Sequence, residues 1–148
     1  MRLPVLVLCA LLVCAFTVKA EEVGRPIGLV KTVKGEATIT REGRQTAAQP
    51  GFSLAQGDVL TTGASGSMGV ILRDDTILSM GSSSEVRLDK FVFDPARHNL
   101  AMVVRVTRGV IGYLSGRISR LAPGSVTIET PVATLGVRGT HLYARIEP

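Results

Sequence analysis

Residues 55–80 read AQGDVLTTGASGSMGVILRDDTILSM, and the punctuation of this stretch decides the fold class. Ala55-Gln56-Gly57-Asp58 is a turn leading into the short run Val59-Leu60-Thr61-Thr62. Gly63 to Gly66 breaks that run. Ser67 to Leu72 is a second strand, Arg73-Asp74-Asp75 a tight turn, and Thr76 to Met80 the returning strand. Short runs rich in β-branched residues, each closed by Gly, Asp or Ser, point to an all-β domain. Aspartate at a hairpin turn tolerates a left-handed backbone, although glycine suits the second position better.

The same pattern extends in both directions. Upstream, Gly28 to Val33 and Glu36 to Arg41 are strands joined at Lys34-Gly35, and Gln45 to Gln49 is a shorter one before Pro50-Gly51. Downstream, Glu85 to Phe93 is extended. Val86 and Leu88 share one face of it while Phe91 and Phe93 share the other, so the chain needs a bulge or bend near Asp89-Lys90. Asp94 to Asn99 is a polar loop. Leu100, Met102, Val104 and Val106 then alternate with Ala101, Val103, Arg105 and Thr107. Arg108-Gly109 reads as a turn into Val110 to Leu114. Arg117 to Leu121 fits a short helix or a loop. Ser125 to Glu129 is a strand with Val126 and Ile128 inward, and Thr140 to Ile146 is the last strand. No window holds a helical period. The recurrent glycines favour a coiled or solenoid-like two-sheet architecture, with a sandwich as the alternative. No fixed repeat period supports a regular solenoid.

Residues 1–20 read as a secretory signal peptide and residues 21–148 as one domain. Arg2 supplies the positive start, Leu3 to Val18 the apolar run, and Val18-Lys19-Ala20 the small cleavage residues. An uncleaved membrane anchor is the alternative, and a lipoprotein site at Cys14 lacks small residues before it. Both cysteines, Cys9 and Cys14, leave with the signal. The exported chain then has no disulfide, thiol nucleophile or thiolate ligand, and a periplasmic or extracellular location is expected. Arg2 and Lys19 leave too, so the formal charge of +5 falls by two. A weakly basic chain with scattered charge gives no case for nucleic acid.

Near the end stands Thr130-Pro131-Val132-Ala133-Thr134-Leu135-Gly136-Val137-Arg138-Gly139-Thr140. It resembles the closing signature of the FecR domain family, close to Thr-Pro-x-Ala-x-x-Gly-(Ile/Val)-Arg-Gly-Thr. The resemblance spans about Gly35 to Tyr143. Leu54 to Gly63, with Gly57-Asp58 at its centre, is similar to the family's core. Val70 to Thr76 follows, with Asp75 where the family has glycine, so that turn is expected to be strained or of another type. Arg108 to Gly116 is similar to a further run of the family. The resemblance implies an extracytoplasmic β-rich module. In the best-known members this module belongs to a membrane regulator that meets an outer-membrane receptor and controls a sigma factor. Here the signal peptide leads directly to the domain, with no anti-sigma segment or transmembrane helix between them, so that signalling role does not carry over. The signature residues Gly57, Asp58, Thr76, Gly109, Thr130, Pro131, Gly136, Arg138, Gly139 and Thr140 are expected to secure architecture.

The remaining chemistry is sparse. His98 and His141, the two histidines, read as a loop residue and a strand residue and not as a metal pair or general base. No G-x-S-x-G elbow surrounds a serine such as Ser83. Asp58, Asp74, Asp75 and Asp94 sit at turns without the spacing of a calcium loop, and Asp58 is expected to bond nearby backbone N–H groups. Gly136 and Gly139 are expected to supply close packing or positive φ, and Thr140 to cap the turn. Arg138 is expected to pair a buried carboxylate, the alternative being an anionic ligand or a partner. The few aromatics offer no platform for sugars or single strands. The sequence thus implies a non-enzymatic module without cofactor, metal or catalytic residue, which binds a protein partner or serves structurally in the cell envelope. A polysaccharide- or ligand-sensing domain is the alternative, and a small metal-dependent hydrolase a weaker one.

Overall fold

Side-chain alternation lays down the strands, and in the computed structural model, which describes residues 25–147, they make an all-β fold. The expected signal peptide lies outside the described residues. In chain order the strands are β1 (Gly28–Lys34), β2 (Ala37–Arg41), β3 (Arg44–Ala47), β4 (Ser53–Leu54), β5 (Val59–Thr62) and β6 (Ser67–Leu72). They continue as β7 (Ile77–Met80), β8 (Glu85–Asp94), β9 (Asn99–Leu114), β10 (Val126–Glu129), β11 (Thr134–Gly136) and β12 (His141–Ile146). A 3-10 turn at Pro95–Arg97 sits in the polar loop before β9, and Arg117–Leu121 forms the short helix α1. Strands β4 and β11 are too short to have shown a period in the sequence.

The strands make one curled sheet whose two wings share β9. The first wing runs β3-β2-β5-β8-β9, with β10 added parallel to the first half of β9 and β11 outside β10. The second wing runs β9-β7-β6-β1-β4, with β12 antiparallel to the second half of β9. The expected two-sheet coiling thus takes the form of a single sheet bent at a shared strand.

Long β9 bends where the sequence implied a turn. Met102, Val104 and Val106 are buried in its first half, Ile111 and Tyr113 in its second. The parity change comes from a register shift: Glu85 faces Arg108 and Val86 faces Val106, leaving Thr107 without an opposite residue. Gly109 then takes φ 98°. A Cβ there would run into the side chain and Cα of Ser84. The strand does not reverse because its backbone stays paired. Val110 N–H donates to Ser84 Oγ at 2.9 Å, and Gly81 N–H to the Val110 carbonyl at 2.8 Å. Each half of β9 therefore presents its apolar side chains to the same core.

The expected bulge in β8 is present at Asp89. Leu88 faces Val104 while Lys90 faces Val103, so Asp89 is the extra residue. Both wings close on one core that includes Ile39, Leu54, Leu60, Val70, Met102, Ile111, Ile118 and Ile128. Burial of such side chains contributes roughly 1.5–3 kcal/mol each. Helix α1 is held by buried Ile118 and capped from another part of the chain. Arg117 N–H donates to the Asp74 carbonyl at 2.7 Å, and Ile118 N–H to Asp74 Oδ2 at 3.1 Å. A Cβ on Gly116 would collide with the Asp74 carbonyl and with Thr76, so this approach needs glycine.

Candidate functional site

The signature residues divide into a buried set and an exposed set. Gly57 turns the chain at φ 91° and delivers Asp58 to a fully buried position. Arg41 Nε and Nη2 donate to Asp58 Oδ1 and Oδ2 at 2.8 and 2.7 Å. Ala55 N–H donates to Oδ2 at 2.8 Å, the backbone bond expected from sequence. Arg41 also donates to the Ser53 carbonyl and lies over the Phe52 ring. Its pKa is raised, first by the hydrogen bonds to Asp58, with partial burial opposing. Nothing in the local sequence pointed to Arg41 as the partner, because only folding brings it to Asp58.

A second polar group closes the far end of the core. Asp74 is fully buried and accepts from Thr76 Oγ1 at 2.8 Å and from Thr76 N–H at 3.1 Å. The neighbouring Asp75 takes the left-handed φ of 69° that its glycine-like position demands. The Tyr113 phenol lies in the same region, and its pKa is raised, first by burial and further by Asp74. The hydroxyls of Ser119 and Thr76 act in the opposite direction. Neither meets Tyr113 Oη with hydrogen-bond geometry, so this hydroxyl is a buried polar atom without a partner among the described residues. Both buried carboxylates are thus fully engaged in holding structure. Among the described residues no group of three or more His, Asp or Glu side chains gathers as metal ligands. His98 follows the 3-10 turn with φ 53°, and His141 opens β12.

The closing signature lies at the surface. Thr130 N–H donates to the Ala133 carbonyl at 2.8 Å, and Ala133 N–H to Thr130 Oγ1 at 3.1 Å. These bonds make a turn with Pro131 at its second position and Val132 92% exposed. Val137 is the buried anchor, its N–H on the Val126 carbonyl at 3.0 Å. Two expectations are corrected here. Arg138 is exposed and has no ion pair among the described residues, so it does not pair a buried carboxylate. Gly136 and Gly139 have neither positive φ nor close packing, because nothing lies within 4 Å of a Cβ on Gly136 and only the His141 carbonyl, at 3.9 Å, lies near one on Gly139. Solvent surrounds both positions. Thr140 acts through its carbonyl, which accepts from Ser115 N–H at 2.9 Å.

The signature connects two sheet margins. Among the described residues, strand β11 pairs only with β10, and β12 only with β9. The Thr140–Ser115 bond sets the alternation along β12. Leu142, Ala144 and Ile146 turn their backbone groups to β9, while His141, Tyr143 and Arg145 turn theirs outward. The side chains of those three residues are exposed as well, Tyr143 by 82%. The outer face of the first wing is by contrast closed by ion pairs. Arg105 bridges Asp89 at 3.2 Å and Glu129 at 3.0 Å, and Arg87 meets Asp89 at 2.8 Å.

The family profile described as FecR protein matches residues 58–147. That span begins at the buried Asp58 and ends just after β12. No curated protein and no solved structure matched the chain. Among the described residues no helix is long and apolar enough to cross a membrane.

Proposed function

Because the chain belongs to the FecR family, we propose that it is an exported, non-enzymatic module of the cell envelope that binds a protein partner along an open sheet edge. One observation carries this reading: the family signature leads directly into β12, a margin strand within the matched span, with outward backbone groups and exposed side chains at His141, Tyr143 and Arg145. An unpaired edge of this kind accepts an extended partner segment by main-chain hydrogen bonds. The engagement of Asp58 by Arg41 and of Asp74 by Thr76 and Ile118 favours binding over bond chemistry. Export is supported by residues 1–20, with their positive start and apolar run.

The test is proline at an outward position of β12. Tyr143→Pro removes a free N–H and leaves the ladder to β9 in place. Gln45→Pro is the control on the opposite margin. Ala48 N–H donates to the Ala37 carbonyl, so Gln45 faces away from β2 by the same alternation. A photoreactive side chain at Arg145 is expected to capture one specific partner from envelope extracts. Capture should fall with Tyr143→Pro and persist with Gln45→Pro, at equal thermal stability. Equal capture by all three chains would rule out the β12 edge.

A further inference from the structure

Strand β8 is covered unevenly on the side away from β9. Strand β5 pairs with Glu85–Arg87, Gly57 N–H reaches the Leu88 carbonyl at 2.7 Å, and Phe91 N–H donates to Gln56 Oε1 at 3.0 Å. Beyond that point no backbone partner lies on this side among the described residues. Met102, opposite Phe91, sends its N–H to Ser125. Phe91 and Met102 therefore form a non-hydrogen-bonded pair, and the alternation leaves the N–H and C=O of Phe93 free.

Cations gather at this free end. The Arg73 guanidinium lies 5.7 Å from the Phe91 ring centre, and that of Arg117 lies 4.9 Å from the Phe93 ring centre. Arg25 and Arg73 line an open cleft with Phe91, Val92, Phe93 and Asp94. None of Arg25, Arg73 and Arg117 has a carboxylate within ion-pair distance among the described residues. A guanidinium within about 6 Å of a ring centre is attracted by the ring's π face and still carries further N–H donors for a carboxylate. Arg73 places one of these on the Pro26 carbonyl at 3.3 Å. The opposing charges include Asp94, 3.7 Å from Arg97, and Asp74 and Asp75 in the same turn as Arg73, of which Asp74 is buried and already accepts from Thr76 and Ile118.

We propose that the free end of β8, Phe91–Asp94, takes an extended acidic segment of a partner protein as an added strand, with its carboxylates on Arg25, Arg73 and Arg117. This rests on the reading that the domain binds protein, and it names a second edge and the chemistry of the segment. Free backbone groups recognise another main chain, and the arginines select acidic side chains. A second copy of this chain fits poorly, because its own margin segments bring Arg44, Arg138 and Arg145.

The experiment is fluorescence anisotropy with the full exported chain and a labelled peptide alternating Glu and Val. Binding is expected, and it should weaken as salt rises. The double variant Arg73→Gln/Arg117→Gln should weaken it at least about tenfold at unchanged melting temperature. The same peptide with alternate amides N-methylated should lose a comparable factor, a readout that needs no change in the protein. A Lys-for-Glu peptide should not bind. Absence of binding by the acidic peptide would overturn the proposal, as would equal binding by the N-methylated peptide, by an acidic oligosaccharide of matched charge or by the arginine variant. Tyr143→Pro leaves β8 intact, so the β12 reading stands or falls separately.

Discussion

Arg41 and Arg138 bring the same side chain into opposite settings. Arg41 closes a bidentate pair on a buried carboxylate 17 residues away, and the Gly57-Asp58 turn holds that carboxylate in place. Arg138 stands in solvent between two glycines with room around them. The signature made Arg138 the conspicuous arginine, while the structural one lay in an ordinary strand. A local pattern shows that a residue type recurs, but the location of its partner is a property of the folded chain. Arg138→Ala is accordingly expected to change unfolding free energy by less than about 0.5 kcal/mol, as surface substitutions do. Urea melts of the two chains check this, and a large loss of stability would restore the structural role. Thr130 and Pro131 were legible as a strand end, because a proline cannot donate to a ladder.

Among the elements, β8 was legible and β9 was not. In β8 the apolar side chains change face between Leu88 and Phe91, and only an extra residue can do that within a paired strand. In β9 the same change of face occurs between Val106 and Ile111, but glycine at 109 is also the ordinary mark of a turn. Both readings satisfy the local backbone. The pairing of Val110 with Ser84 and Gly81 decides for a bend, and those partners lie over 20 residues away in sequence. Gly109→Ala meets two penalties there, the left-handed φ and the collision with Ser84. The expected cost is about 3 kcal/mol. A chevron or urea melt measures it, and a loss below about 1 kcal/mol would show that the bend can relax. Helix α1 stayed ambiguous because five residues are too few to show a period, and its cap comes from Asp74.

At the scale of the whole molecule, two wings and one helix close over a core that ends in a polar group around Asp74 and Tyr113. The Tyr113 phenol has its pKa raised above the ordinary value of about 10, chiefly by burial. The folded state thus holds this proton more tightly than the unfolded state. Stability should be independent of this group below pH 10 and fall as pH rises from there toward the folded value. Thermal melts across the alkaline range should show that decline, and Tyr113→Phe should make it shallower. An identical slope in the variant would assign the alkaline limb to other groups. The all-β class, most of the strands with their inward faces, and the membership of the FecR family were determined by the sequence itself, because alternation and turn residues act over a few neighbours. Tertiary structure alone decided that Gly109 bends a shared strand, that Arg41 answers Asp58, and that the closing signature faces solvent between two open edges. Each of these depends on which distant backbone groups are already paired, and that is settled only when the sheet has closed on its core.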